Sequence, residues 1–298
     1  MAACAGAGVA PPPIGDDADA TLARSRALGR DVVLFFALPG RDASDRMERE
    51  TWTDPRVHRA IADGGFLLTR VDAFVEVDRY RALIGGGEGM GVCVVDTEGR
   101  PFAARPGFQE ADELAAFLQR VARRRPAVVA ARTAVAVDPA DMRARFALGD
   151  VLLDLGERRT SERELTIAAK SGVAAARHRL ARRHALDGDV TQARAWLSDA
   201  PPSLGARVTE GYVLFKERRH REAVATFAAL LRDSEHDLAD ERQRVLYYLG
   251  KSLHEAGRDA DALARLSALA AEGTGSTFEA AARHALRHIL DPDHGHTH

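Results

Sequence analysis

Between Leu148 and Leu266 the sequence returns four times to the same arrangement of small and bulky residues. Each frame starts with a residue pair: Leu148-Gly149, Leu180-Ala181, Glu210-Gly211 and Leu249-Gly250. Counting from the second residue of the pair, position +7 holds Gly156, Gly188, Arg218 and Gly257. Position +12 holds Ser161, Ala193, Ala223 and Ala262, and position +16 holds Leu165, Leu197, Phe227 and Leu266. A period of this length without strand signals points to stacked pairs of antiparallel helices, in which each unit buries the apolar face of the next. Small residues let two helices approach closely, and bulky ones lock into the neighbouring repeat.

This pattern of small residue, turn glycine, alanine and bulky apolar residue resembles the tetratricopeptide repeat. Successive frames lie 32, 30 and 39 residues apart, against about 34 for the family, so the repeats are degenerate. The first lacks the alanine, the second its starting glycine and the third its turn glycine. Phe278 to Leu290 is expected to be a last helix covering the apolar face of the final repeat. The resemblance implies a concave face that takes a peptide or partner helix. Its candidate lining residues, on the first helix of each pair, are Arg143, Arg145, Arg177, Arg179, Arg207, Arg242 and Arg244. An acidic or C-terminal carboxylate ligand would suit such a groove; the other reading of these arginines is a solvated helix face.

Upstream, Asp31 to Ala37 is a short apolar run rich in Val and Phe, as in a strand buried on both faces. A glycine-bearing turn then leads into a polar helix start at Arg41 to Ser44. The segment Met47-Glu48-Arg49-Glu50-Thr51-Trp52-Thr53-Asp54-Pro55, followed by Val57, resembles a thioredoxin-like family that reads CxxC, two residues, MExxTFxDPxV. The resemblance covers about residues 15 to 125 and puts the family's two cysteines at Arg41 and Ser44. Its cis-proline position falls on Met90. Dithiol exchange needs an acidified attacking thiolate and a resolving thiol, and neither residue supplies one. No catalytic residue is assigned on this basis, and dithiol oxidoreductase chemistry is not expected.

The order of elements expected over this half is a helix at Asp16–Leu28, the strand at 31–37, and a helical stretch from Ala43 to Asp63 interrupted near Pro55. A strand at Phe66–Val71 and a helix at Val75–Ile84 follow, then an antiparallel hairpin at Val92–Val95 and Phe102–Ala104. The last helix, Glu110 to Arg124, ends before Pro126, which is expected to close the domain. Asp42, Ser44 and Asp45 read as helix-capping groups. His58 has no recognisable nucleophile beside it, and the run Gly85-Gly86-Gly87-Glu88-Gly89 lacks the lysine of a phosphate-binding loop.

A hydrophobic fraction of 46% over 298 residues allows two domains. The formal net charge of -2 gives no reason to expect nucleic acid. Two cysteines, Cys4 and Cys93, provide no disulfide framework and no multi-cysteine metal site. No run of 18 apolar residues offers a transmembrane helix. Cys4 follows small residues as in the end of a lipoprotein signal, so residues 1–15 read either as a disordered leader or as a lipoprotein remnant. The tail, residues 291–298, reads as a polar end or as imidazole ligands for Cu(II), Ni(II) or Zn(II) through His294, His296 and His298.

The expected architecture is an α/β thioredoxin-like domain over 16–125, followed by an all-α solenoid of about four tetratricopeptide-like repeats over 127–290. No cofactor is implied. The domain plan is similar to that of bacterial chaperedoxins, which implies a non-catalytic, holdase-type co-chaperone that binds protein or peptide. Two alternatives stand beside it: a scaffold for one specific partner, and a single-cysteine redox activity through Cys93. A cytoplasmic location is the default, with an envelope location if Cys4 is lipidated.

Overall fold

A strand whose six residues are all apolar belongs in the middle of a sheet, and Val32–Ala37 (β2) occupies that place with every residue buried. The computed structural model describes residues 11–85, 89–198, 200–238, 241–272 and 277–290. Its five-stranded sheet has the order β1-β3-β2-β4-β5, where β1 is Ile14–Gly15, β3 Leu67–Asp72, β4 Gly91–Val95 and β5 Pro101–Pro106. Strands β1, β3 and β2 are parallel, whereas β4 and β5 form the antiparallel hairpin. Ile14 and Gly15, expected to belong to a leader, instead pair with Leu68 and Thr69; residues 1–10 of that expectation lie outside the described residues. Two residues are too few to show alternation in a sequence.

Helix α1 (Ala18–Leu28) starts on the Asp17 carboxylate, which accepts the N–H groups of Asp19 and Ala20. The expected interrupted helix resolves into α2 (Asp42–Arg46), a wide π-turn over Met47–Thr51, and α3 (Pro55–Asp63). Asp54 caps α3 and Pro55 takes its first position, where no N–H is needed. Helix α4 covers Val77–Leu83.

The expected stop at Pro126 does not occur. One helix, α5, runs Ala111–Val137 with Pro126 inside it. Proline has no N–H to give the Ala122 carbonyl, a defect of about 3 kcal/mol in a helix interior. What outweighs it is docking on both sides of the proline. Arg125 pairs with the buried Asp31 through both nitrogens of its fork. Arg132 reaches the Asp96 carboxylate and the Pro101 carbonyl, each at 2.6 Å. Val128 and Ala131 are buried in the same core as Phe117, Leu148, Leu152 and Leu155. That core therefore takes in α6 (Met142–Asp154) as well as the sheet. The chain accordingly divides into compact units at Met1–Ile167 and Ala168–His298, and the boundary expected at Pro126 lies inside the first.

Helix pairing follows the sequence frame. After α6 come α7 (Arg158–Lys170), α8 (Ala174–Leu186), α9 (Val190–Ser198), α10 (Leu204–Lys216) and α11 (His220–Ser234). The last three are α12 (Arg242–Glu255), α13 (Asp259–Ala270) and α14 (Thr277–Leu290). Ser161, Ala193, Ala223 and Ala262 are all fully buried. A Cβ on Gly149 would stand 2.7 Å from Leu165, one on Gly211 2.7 Å from Phe227, and one on Gly250 2.6 Å from Leu266. The bulky residue thus seats on the glycine of its own pair, where the sequence pattern suggested the neighbouring repeat. In the second unit the cluster of Leu246, Leu266, Leu269, Ala282 and Ala285 places α14 over the last pair, as expected of a covering helix.

Candidate functional site

In the first unit the loop between β2 and α2 carries the positions where cysteines would be expected. Arg41 is exposed at the start of α2 and makes no side-chain cap. Ser44 is fully buried, and its hydroxyl accepts the Leu38 N–H at 2.9 Å. Asp45 accepts the Gly40 N–H at 3.3 Å, so these polar groups brace the turn ahead of the helix instead of capping its first N–H groups. Met90 is buried next to β4, and none of the described peptide bonds is cis. His58 is spent on the Trp52 carbonyl at 2.7 Å. Cys93 is fully buried on β4, and burial pushes its thiol pKa far up, which disfavours the thiolate.

Polar and aromatic groups gather instead in the second unit, on the layer made by α8, α10 and α12. The first helix of each pair lies in this layer, so side chains one position after the frame's small residue recur along it. Arg182 on α8 and Tyr212 on α10 share that position. Arg182 is 3% exposed, which a guanidinium tolerates only with partners. It donates to Glu241 at 2.7 Å and makes a long contact of 3.5 Å with the Thr209 hydroxyl, while its Nε has no hydrogen-bond partner. Arg244 on α12 stands 3.2 Å from the other Glu241 oxygen and lies over the Phe278 ring, 5.4 Å from its centroid.

The electrostatics follow from burial and from the number of cations. Burial opposes the charge on Glu241, yet Arg182, Arg244 and Arg179 together hold its carboxyl below the usual range. Burial, then the repulsion of Arg182 and Arg179, brings His178 down to about 4, so its ring is neutral near pH 7. Beside this charged group lies an aromatic cluster. Tyr212 and Tyr248 meet edge to face with centroids 4.6 Å apart, and Phe215 and Tyr247 stand 5.4 and 5.1 Å from Tyr248. Exposed Lys216 sits 5.7 Å from the Tyr212 ring.

Of the arginines expected to line a groove, Arg179 and Arg244 belong to this cluster. Arg177 is half-buried on α8 with contacts of its own, and Arg207 lies 3.9 Å from Asp233. Arg242 is committed to Glu235 at 2.9 Å and Glu272 at 2.6 Å. Arg143 and Arg145 belong to the first unit, where Arg143 is exposed and Arg145 is tied to Glu164 at 2.6 Å. The sequence reading missed Arg182, Glu241, His178, Tyr212 and Tyr248. The recurrence of Arg182 and Tyr212 at one frame position was the available signal; Glu241 precedes its helix and has none.

Residues 146–205 and 208–277 match the tetratricopeptide repeat family, each stretch spanning two of the helix pairs described above. This region therefore carries tetratricopeptide repeats, a module of protein interaction. A comparison with curated proteins gave no match.

Proposed function

We propose that this protein is a non-catalytic binding protein, whose repeats engage one specific protein partner through carboxylate groups on that partner. The observation that carries the reading is the α8–α10–α12 layer, where three guanidiniums face one carboxylate beside partly exposed Tyr247 and Tyr248. Arginine and tyrosine are enriched in protein-binding hot spots: tyrosine brings large area with few rotating bonds, and arginine a planar fork of directional donors. A general holdase needs a broad apolar surface. Among the described residues of the second unit, the large exposed apolar side chains are only Leu186 and Leu290. For the repeats of the second unit this favours the scaffold over holdase-type binding.

The first unit is, in this reading, a thioredoxin-like domain without a redox centre. Its order of βα units, hairpin and helix supports that assignment, as do Arg41, Ser44 and Met90 at the family's functional positions. Burial of Cys93 speaks against single-cysteine redox activity. Membrane anchoring would require lipidation of Cys4, which lies outside the described residues.

The test is affinity capture of the full chain from its own cells, before and after heat shock, beside a variant with Arg177→Glu and Arg179→Glu. One stoichiometric partner, unchanged by heat and lost in the variant, is the expected result. A broad set of proteins that grows on heating would replace the scaffold reading with the holdase.

A further inference from the structure

On α14, His284 and His288 are one helical turn apart, so both imidazoles project from the same face. Their Nε2 atoms are joined by a hydrogen bond of 2.9 Å and their ring centroids are 4.4 Å apart. They line a cleft of about 350 Å³ together with Tyr247, Lys251, His254 and Glu255 of α12. His254 Nδ1 lies 2.7 Å from the Asp259 carboxylate.

We propose that His284 and His288 form a two-histidine site for a divalent transition metal that favours tetragonal coordination, Ni(II) or Cu(II). Two nitrogens in neighbouring positions of such a metal, each about 2.05 Å from it, are about 2.9 Å apart; tetrahedral coordination would spread them to about 3.4 Å. The observed separation matches the first case; the Nε2 proton of the hydrogen bond would move to Nδ1 of its own ring, so that a metal takes its place between the two nitrogens. Among the described residues no group of three or more His, Cys, Asp and Glu is close enough to share an ion. Water would fill the remaining positions, and Lys251 and Glu255, of opposite charge, line the same cleft. The cleft shares Tyr247 with the α8–α10–α12 layer, but both proposed ligands lie on α14, so the metal site does not rest on the partner-binding reading.

The experiment is calorimetric titration of the full chain with Ni(II) alone in a non-chelating buffer, repeated for three variants. His284 is exposed, so H284A tests the site without endangering the fold. H284A and H288A are each expected to weaken binding at least about tenfold, the loss that even an outer-shell change can cause. A variant with alanine at His294, His296 and His298 keeps the wild-type affinity if the helix is the site. As a second readout, Cu(II) bound to the wild type shows coupling to two imidazole nitrogens in its paramagnetic resonance spectrum, and H284A loses one. Wild-type affinity in H284A, or loss of binding in the tail variant alone, overturns the proposal.

Discussion

The Leu155 carbonyl accepts the Ala104 N–H at 3.0 Å, joining the outermost strand of the sheet to the turn that follows α6. An edge strand normally leaves such donors open to another chain. Here the turn covers it, and it approaches so closely that a Cβ on Gly156 would stand 2.3 Å from the Ala104 carbonyl oxygen. Gly156 also has a φ of 79°, which only glycine adopts without strain.

Gly156→Ala therefore faces both a clash and a left-handed backbone, and a loss of at least about 2 kcal/mol is expected for the first unit. Urea unfolding followed by Trp52 fluorescence, in a background with Trp196→Phe, measures it. An unchanged midpoint would mean that the turn does not hold the strand edge.

Truncation after Arg125, the natural cut if a domain ended at Pro126, should give an aggregating fragment. It removes the half of α5 that carries Val128, Ala131 and Arg132, and with it the cover of Ala104. Sedimentation of the 1–125 and 1–167 fragments compares the two boundaries; a monomeric, cooperatively folding shorter fragment would restore the boundary at Pro126.

Arg125→Ala leaves the Asp31 carboxylate, whose side chain is 2% exposed, without its cation. Because the Arg125 side chain is 40% exposed, the cost falls below that of a fully buried pair, to about 1 to 3 kcal/mol for the carboxylate left unpaired. Thermal unfolding of R125A should show a drop, and the double variant R125A/D31N should recover part of it. Equal stability of the two variants would show that the pair is not the source of the loss.

In the third repeat Arg218 stands where the other three have a turn glycine, and it is the positive-φ non-glycine residue among those described, at 60°. Relieving that backbone should make Arg218→Gly more stable by about 1 kcal/mol, after the entropy that glycine adds to the unfolded chain. Denaturant titration of the full chain reads this as a higher midpoint for the second unit. A lower midpoint would mean that the Arg218 side chain contributes more than its backbone costs.

His178 makes the second unit sensitive to acid. Its folded pKa is about 4 against 6.5 for a free ring, so the unfolded state binds the proton more readily. Its contribution is complete above about pH 6.5 and is lost as the pH falls toward 4, by about 3 kcal/mol at most. Unfolding midpoints at pH 7 and 5 should differ more in the wild type than in His178→Gln. Identical differences would remove His178 as the cause.

The repeats were legible because their frame is steric: Gly149, Gly211 and Gly250 each meet the bulky residue of the same pair, and the small residues Ser161, Ala193, Ala223 and Ala262 are fully buried. The central strand was equally plain from six apolar residues in a row. Pro126 misled because a local rule about helices was outweighed by distant partners, Asp31 and Asp96, which no window around the proline contains. Arg182 was hidden for the same reason, since its burial depends on Glu241, far along the chain.

Partner engagement through the α8–α10–α12 layer is tested most directly by photo-crosslinking in the protein's own cells. One probe replaces Lys216, exposed beside Tyr212, and a control probe replaces Arg232, exposed on α11. Cross-links to one protein from position 216 and none from 232 are predicted. Cross-links from 232 alone, or the same ones from both positions, would contradict this account.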